Sequence, residues 1–444
     1  MLNNKYIILC CLLLACVSVQ SQAKWTLRQC IDYAIENNIE IKQQSINIEN
    51  AEINLSTSKN SRLPDLTGSV GQDFTFGQST STNNTIVSGN SHSTSLRVSS
   101  SMPLFTGFRI PNENKMYKLN LLAATENLKK ARENLELQVA SLYLDVLFKK
   151  ELLKVYKEQV ELNKIQVERT SVLVESGKVP ESQLYDIKSQ LANDELRETN
   201  AQNDLLMSLL NLSQTLNIQN SAYFDIEEPV STGIIAKNQT SIFPVDQIYQ
   251  TAINIKPQVK EVEYNIESSK RSLKVAQAGH YPTLDLGFGY SSRYIKRQGV
   301  FAPGFSSQIN DNGSENISLT LRIPIFNRFQ TSNRVKSIRL EIQNNELRLD
   351  NVKLALYKEI QQAYQSAVSS QAKYTSTEKA FKAASESFKY AEERYNVGKS
   401  TVFEFNEVKT KLLSSRSEQV QAKYDFLFRA KILDFYRGVE INIE

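Results

Sequence analysis

The segment LTGSVGQDFTF (66–76) alternates along its length: Leu66, Val70, Phe74 and Phe76 share one face, and Thr67, Ser69, Asp73 and Thr75 the other. A period of two marks a strand whose faces meet different surroundings. A second segment repeats the pattern, with Leu284, Leu286, Phe288 and Tyr290 alternating with Asp285, Gly287, Gly289 and Ser291. In the returning strand Ile317, Leu319, Leu321 and Ile323 stand opposite Ser318, Thr320 and Arg322. The loops between, about 77–93 and 291–315, are rich in Ser, Asn, Gly and Thr. Alternating segments of about ten residues fit either a soluble sandwich or outer-membrane strands. Strand length and the start of the chain favour the membrane.

That start, MLNNKY followed by IILCCLLLACVSV, has the basic region and short apolar core of an export signal, and Ser21-Gln22-Ala23 offers a cleavage site. A signal peptide over 1–23 leaves Lys24-Trp25 at the mature end. Leu13-Leu14-Ala15-Cys16 offers a competing lipid-attachment reading at Cys16. Beyond this region no run approaches the ~20 apolar residues of a membrane helix, so any passage through lipid falls to the strands.

Composition excludes other classes. The 444 residues carry a net charge of only +4, too small a bias to point to nucleic acid. Cys10, Cys11 and Cys16 fall in the leader, leaving Cys30 without a disulfide partner and best suited to a core position. His92 and His280 are the only histidines, so no histidine-based metal site is expected. There is no cysteine–histidine pair, no G-x-S-x-G elbow and no carboxylate pair in a plausible cleft. The chain reads as neither an enzyme nor a cofactor protein.

The chain is a duplication. Ala34-Ile35 and Ala252-Ile253, Ile41-Lys42 and Val259-Lys260, and Pro64 and Pro282 are each 218 apart. Further on, MPLF (102–105) and IPIF (323–326), Tyr143 and Tyr364, and Gly177-Lys178 and Gly398-Lys399 are 221 apart. The change of three locates a length difference within the strand-loop-strand segment. The first repeat covers 24–217, with strands about 64–76 and 94–104. A linker follows over 218–245. The second repeat covers 246–437, with strands about 282–292 and 316–326, and a tail runs over 438–444.

Each repeat continues into a long helix. Val139, Val146, Leu153, Val160, Val167 and Val174 are seven apart, as are Ile360, Ala367, Tyr374, Phe381, Phe388 and Tyr395. A sustained seven-residue repeat demands a supercoiled partner helix. A helix over about 111–176 would be ~100 Å long, and those over about 26–60 and 181–217 ~50–55 Å each. Two short helices stacked end to end would match one long helix. Gly177 and Gly398 then reverse the chain at the hairpin tips, where a left-handed residue closes a helix. Ser400 or Thr401 would cap the next helix. The Gly-Lys-Ser of NVGKSTVFEFNEV (396–408) is not a phosphate loop, because Glu393 stands where its first glycine belongs and no strand precedes it.

Four strands cannot close in lipid. Three chains would give twelve strands around a lumen, and two chains only eight around a filled one.

WTLRQCIDYAIENNIEI (25–41), SRLPDL (61–66), HYPTLDL (280–286), MPLFTGFR (102–109), IPIFNRF (323–329) and ERYNVGKSTVFEFNEV (393–408) resemble TolC-type outer-membrane efflux proteins, over about 25–440. The resemblance implies a mainly α protein with membrane β: a homotrimer whose 12-stranded β-barrel sits on a 12-helix periplasmic α-barrel, with an equatorial region from about 218–245 and the tail. It further implies an exit duct in the outer membrane of a Gram-negative bacterium. That duct docks a periplasmic adaptor tied to an inner-membrane transporter of the RND or ABC type. A first helix rising ~50 Å to the membrane puts Cys16 out of comfortable reach, since the nine residues to Trp25 span at most ~30 Å. Cleavage after Ala23 is the reading kept.

The resemblance also assigns roles at the tips. Glu404 and Glu407, three apart on one helix face, match an acidic ring at the closed entrance. Without the resemblance they read as a solvated helix face. Tyr395 matches a latch tyrosine but also lies on the heptad stripe. The latch's acidic and arginine partners are replaced by Gln183 and Ser400, so a closed state would rest on Tyr395 with Ser182 or Gln183, and Asp186 adds charge nearby. Ser176, Gly177 and Lys178, with Val397, Gly398 and Lys399, match adaptor-contact tips. A periplasmic coiled-coil scaffold without a channel is the alternative function.

Overall fold

The computed structural model describes residues 24–80, 86–218, 224–228 and 243–441, so the proposed leader lies outside the described residues. Contacts divide the chain into two compact units.

One unit comprises residues 46–127 and 258–352. It holds a four-stranded antiparallel sheet of β1 (Thr67–Thr75), β4 (Ser91–Phe105), β5 (Thr283–Arg297) and β6 (Ser314–Arg322), in the order β1-β4-β5-β6. Register aligns the alternation across all four strands. Val70 faces Leu96, Val98 faces Tyr290, Met102 faces Leu286, and Leu286 faces Leu319. One face therefore carries the apolar rows Val70–Leu96, Phe288–Ile317 and Met102–Leu286–Leu319, with Gln72, Thr94, Ser292 and Glu315 among them, and the other carries Asp73, Arg97, Asp285 and Arg322. The apolar side chains of the edge strands are bare, with Val70 at 74 % and Leu319 at 65 % exposure, and those of the inner strands are partly exposed. Among the described residues, the outer strands β1 and β6 have no neighbour on one side.

The loops differ from the irregular segments expected. The first holds a small hairpin of β2 (Gln78–Thr80) and β3 (Ile86–Ser88). In the second, β5 runs on to Arg297 and a short helix occupies Phe305–Asp311. The Gln308 side chain ties that helix to the backbone of Ile295, donating to its carbonyl at 3.1 Å and accepting from its N–H at 3.0 Å.

The other unit comprises residues up to 45, 128–257 and 353 onward. With the short helix at Phe305–Asp311 as α7, the helices of the chain are α1 (Leu27–Asn37), α2 (Ile39–Asn60), α3 (Arg109–Glu175), α4 (Glu181–Thr215), α5 (Val245–Ile255), α6 (Pro257–Gln277), α8 (Gln330–Asn396) and α9 (Val402–Tyr436); this unit holds α1, α4, α5, α9 and the C-terminal parts of α3 and α8. The two long helices are equal at 67 residues each, as are α4 and α9 at 35. The heptad residues form the core: Val139, Val146, Ile360 and Ala367 are fully buried, and Tyr374 stacks on Phe426 at 6.1 Å.

The single helix expected over 26–60 is broken at Asn38. Asn38 is extended (ψ 134°) and its Oδ1 accepts from the Glu40 N–H at 2.8 Å, starting a new helix. The second repeat breaks at the matching Lys256, whose α conformation is disfavoured by Pro257. Each break receives the end of the other short helix. Asn217 Nδ2 donates to the Asn37 carbonyl at 3.0 Å, and the Lys256 ammonium lies 3.3 Å from the ring centre of Phe435 in the last turn of α9. Trp25 forms a parallel bridge with Ile226, and the Tyr143 hydroxyl donates to the Glu227 carbonyl at 2.8 Å. Cys30 is buried, and desolvation pushes its thiol up to about 12, as suits a core side chain.

Candidate channel entrance and docking tips

Both hairpin tips are the same motif. At the end of α3, Gly177 is left-handed (φ 69°), its N–H donates to the Val174 carbonyl at 2.9 Å, and that of Lys178 to Leu173 at 2.9 Å. At the end of α8, Gly398 (φ 73°) donates to Tyr395 at 3.1 Å, and Lys399 to Arg394 at 2.9 Å. This paired pattern satisfies the last carbonyls of each helix. A Cβ on either glycine would meet nothing within 4 Å, so backbone conformation alone selects glycine.

The tips differ in how the next helix starts. Thr401 caps α9, its Oγ1 accepting from the Glu404 N–H at 3.2 Å while Glu404 Oε2 accepts from the Thr401 N–H at 3.1 Å. The Ser400 hydroxyl donates to the same Oε2 at 2.7 Å, and these contacts hold the Glu404 carboxyl below the usual carboxylate range. Pro180 precedes α4 with no side-chain cap.

Glu404 and Glu407 are both exposed near the start of α9. Glu404 is charged and solvent-facing, but it also serves as the capping arm. The half-buried Tyr395 ring stacks on Phe405, 4.7 Å between centres, and Phe405 also packs on Phe388 at 5.6 Å. Its ring is thus a core element of its own hairpin. Ser182 and Asp186 are exposed and Gln183 is half-buried at the other tip. Gly177, Lys178, Val397, Gly398 and Lys399 are exposed, and Ser176 Oγ donates back to the Leu173 carbonyl at 3.0 Å.

Sequence reading missed a buried polar network beside the tips. The Lys409 ammonium on α9, 5 % exposed, donates to Asn163 Oδ1 on α3, and Asn163 Nδ2 donates to Asp194 on α4. Gln159, Gln190 and Arg197 complete the shell around the Asp194 carboxylate, at 3.2–3.3 Å. Burial pulls the Lys409 ammonium down to about 8 despite the opposing pull of Asp194 and Glu392. The network ties the second hairpin to the first, with Arg416–Glu158 at 2.7 Å and Lys423–Glu151 at 3.1 Å continuing along the same helices.

The sequence profile of the outer membrane efflux protein family matches residues 30–217 and 248–437, one match per repeat. The chain belongs to the outer membrane efflux protein family. Members of this family are channels rather than enzymes, form trimers, and work with periplasmic adaptors and inner-membrane transporters. Their fold pairs long helices with a set of strands, as this chain does. Protein CyaE of Bordetella pertussis (strain Tohama I) is 28 % identical over 235 residues, and the match spans 52 % of this chain and 47 % of CyaE, about half of that relative. Among solved structures, CusC has a TM-score of 0.77 at 16 % identity, covering 93 % of this chain and 92 % of CusC. The outer membrane protein VceC of Vibrio cholerae has 0.76 at 16 %, covering 94 % and 97 %. These structural likenesses carry the fold.

Proposed function

We propose that the protein is the exit duct of a tripartite efflux or type I secretion assembly, a passive conduit from its helical tips to the cell exterior. Three chains close a twelve-stranded barrel in the outer membrane of a Gram-negative bacterium, and their helices form the periplasmic tube. The observation that carries this is the sheet: one face on which exposed apolar rows predominate, the other polar, and, among the described residues, an unpaired strand at each edge. Exposed edge groups in hydrocarbon cost several kcal/mol each, so the edges must meet those of other copies. The polar face then lines a water-filled lumen.

At the tips, Glu404 and Glu407 from three chains bring six carboxylates to the entrance, and acidic rings of this kind favour cations. In planar bilayers the protein is expected to conduct with cation preference. Glu404→Gln with Glu407→Gln should weaken that preference while keeping the conductance, and the glutamine retains part of the cap. Unchanged selectivity would remove both residues from the pore. Tyr395, supported by Phe405, closes the entrance together with Ser182 or Gln183 of the first tip. The segments Ser176-Gly177-Lys178 and Val397-Gly398-Lys399 dock the adaptor, whose inner-membrane transporter selects the cargo. Photoreactive groups at Lys178 and Lys399 are expected to label one periplasmic protein during export. Labelling no stronger than from Lys389, on the body of α8, would show that the tips are not the docking surface.

A further inference from the structure

Where each strand pair hands over to its long helix, the two repeats build the same unusual local structure. Between Pro103 and Phe105 the β4–β5 register shifts and sets Phe105 opposite Leu284, on the apolar face. Bulges re-aim side chains in this way. The chain then passes through two left-handed residues, Gly107 (φ 61°) and Phe108 (φ 65°), and the second repeat does so at Arg328 (φ 54°) and Phe329 (φ 63°). Gly107 has a local reason, since a Cβ there would lie 2.8 Å from the Ala278 carbonyl oxygen. At both sites the left-handed pair closes a tight turn, the Arg109 N–H donating to the Thr106 carbonyl and the Gln330 N–H to the Asn327 carbonyl, each at 3.1 Å, a turn that does not itself require a phenylalanine. A side chain in this conformation carries strain that glycine would avoid.

Both strained residues hold their rings outward, Phe108 59 % and Phe329 66 % exposed. Each stands edge-on to the phenylalanine three positions earlier: Phe105–Phe108 at 5.3 Å and 87°, Phe326–Phe329 at 5.6 Å and 88°. Backbone strain that presents a side chain to the outside points to a role outside the chain. Beside the first pair lies a groove of about 430 Å³ walled by Met102, Leu104, Phe105, Phe108 and Ile110, and Arg62 is the one charged residue lining it. Its floor continues the apolar rows Met102–Leu286–Leu319 and Phe105–Leu284–Leu321 of the sheet. Whatever covers that face also reaches the groove. His280 occupies the place of Arg62 in the second repeat.

We propose that this groove is a phospholipid site, with an acyl chain against Met102, Leu104 and Phe108 and the phosphate on the Arg62 guanidinium. The two phenylalanine pairs wedge at head-group level and fix how deep the barrel sits. This rests on the reading of the sheet as embedded in lipid. Aromatic rings favour that level of a membrane, and a guanidinium matches a phosphate.

Native mass spectrometry of the full protein in detergent with added phosphatidylglycerol tests the site. The wild-type assembly is expected to retain lipid, and Arg62→Gln to hold it about tenfold more weakly. Phe108→Gly with Phe329→Gly should lose it as well. That variant relieves backbone strain, so misfolding is not its expected failure. Equal lipid retention by both variants, in intact assemblies, would overturn the proposal. So would displacement of the lipid by inorganic phosphate, which would make the site one for a free anion, or occupation of the groove by a co-purified protein helix. A wild-type chain that remains a monomer and never inserts would instead refute the membrane reading itself.

Discussion

Leu319→Arg is expected to abolish insertion of the assembled protein into the outer membrane. Leu319 lies mid-strand in β6 opposite Leu286, its side chain bare on the apolar face. An arginine on the lipid face near the midplane costs about 2–4 kcal/mol, and a trimer bears it three times. Ser318→Arg, one residue away on the polar face, should insert normally, because its charge enters the water-filled lumen. Membrane flotation separates the two outcomes. Equal behaviour of the two variants would mean that the faces are not divided between lipid and water.

Asp194→Ala should be the most destabilising single change in the helical unit, by about 3–5 kcal/mol. The carboxylate accepts from Asn163, Gln159, Gln190 and Arg197. Its removal strands those donors and leaves the Lys409 ammonium buried without its nearest counter-charge. Lys409→Met should cost less: it leaves Asn163 Oδ1 without its donor, but it removes the desolvated charge and Asp194 keeps Asn163, Gln159, Gln190 and Arg197. The pair also gives a pH signature. The folded state releases the Lys409 proton near 8, whereas the unfolded chain holds it to about 10.4. Between those values the unfolded state binds more protons, so stability rises with pH across that window. Lys409 faces Asn163 on α3, Asp194 with Arg197 on α4, and Glu392 on α8. Thermal unfolding of the helical signal in detergent should show the rise from pH 8 to 10 in the wild type and its loss in Lys409→Met. A rise of the same size in the variant would assign it to other groups.

Much of this architecture was legible because periodicity reports burial. The valines at 139, 146 and 160 are core residues as their spacing required, and the alternation of 66–76 and 284–290 became one apolar sheet face. The glycine tips were legible because only their backbone conformation mattered. The breaks were harder. Asn38 lies in an otherwise helical pattern, and its extended backbone shows only in the fold, although Pro257 was a visible signal for its counterpart at Lys256. Lysine at 409 reads as a solvated surface residue until three helices enclose it. Asn163 and Thr170, seven apart on the stripe beside Val160 and Val167, were the available sign of a polar core there. Thr401 and Glu404 at capping-box spacing likewise foretold that Glu404 has a second task besides facing the entrance.

The most direct measurement is the mass and conductance of the detergent-extracted mature protein. Three chains per particle, opening pores once added to a planar bilayer, is the predicted result. A single chain staying dispersed in plain buffer, with silent bilayers, would contradict the shared wall on which the duct depends.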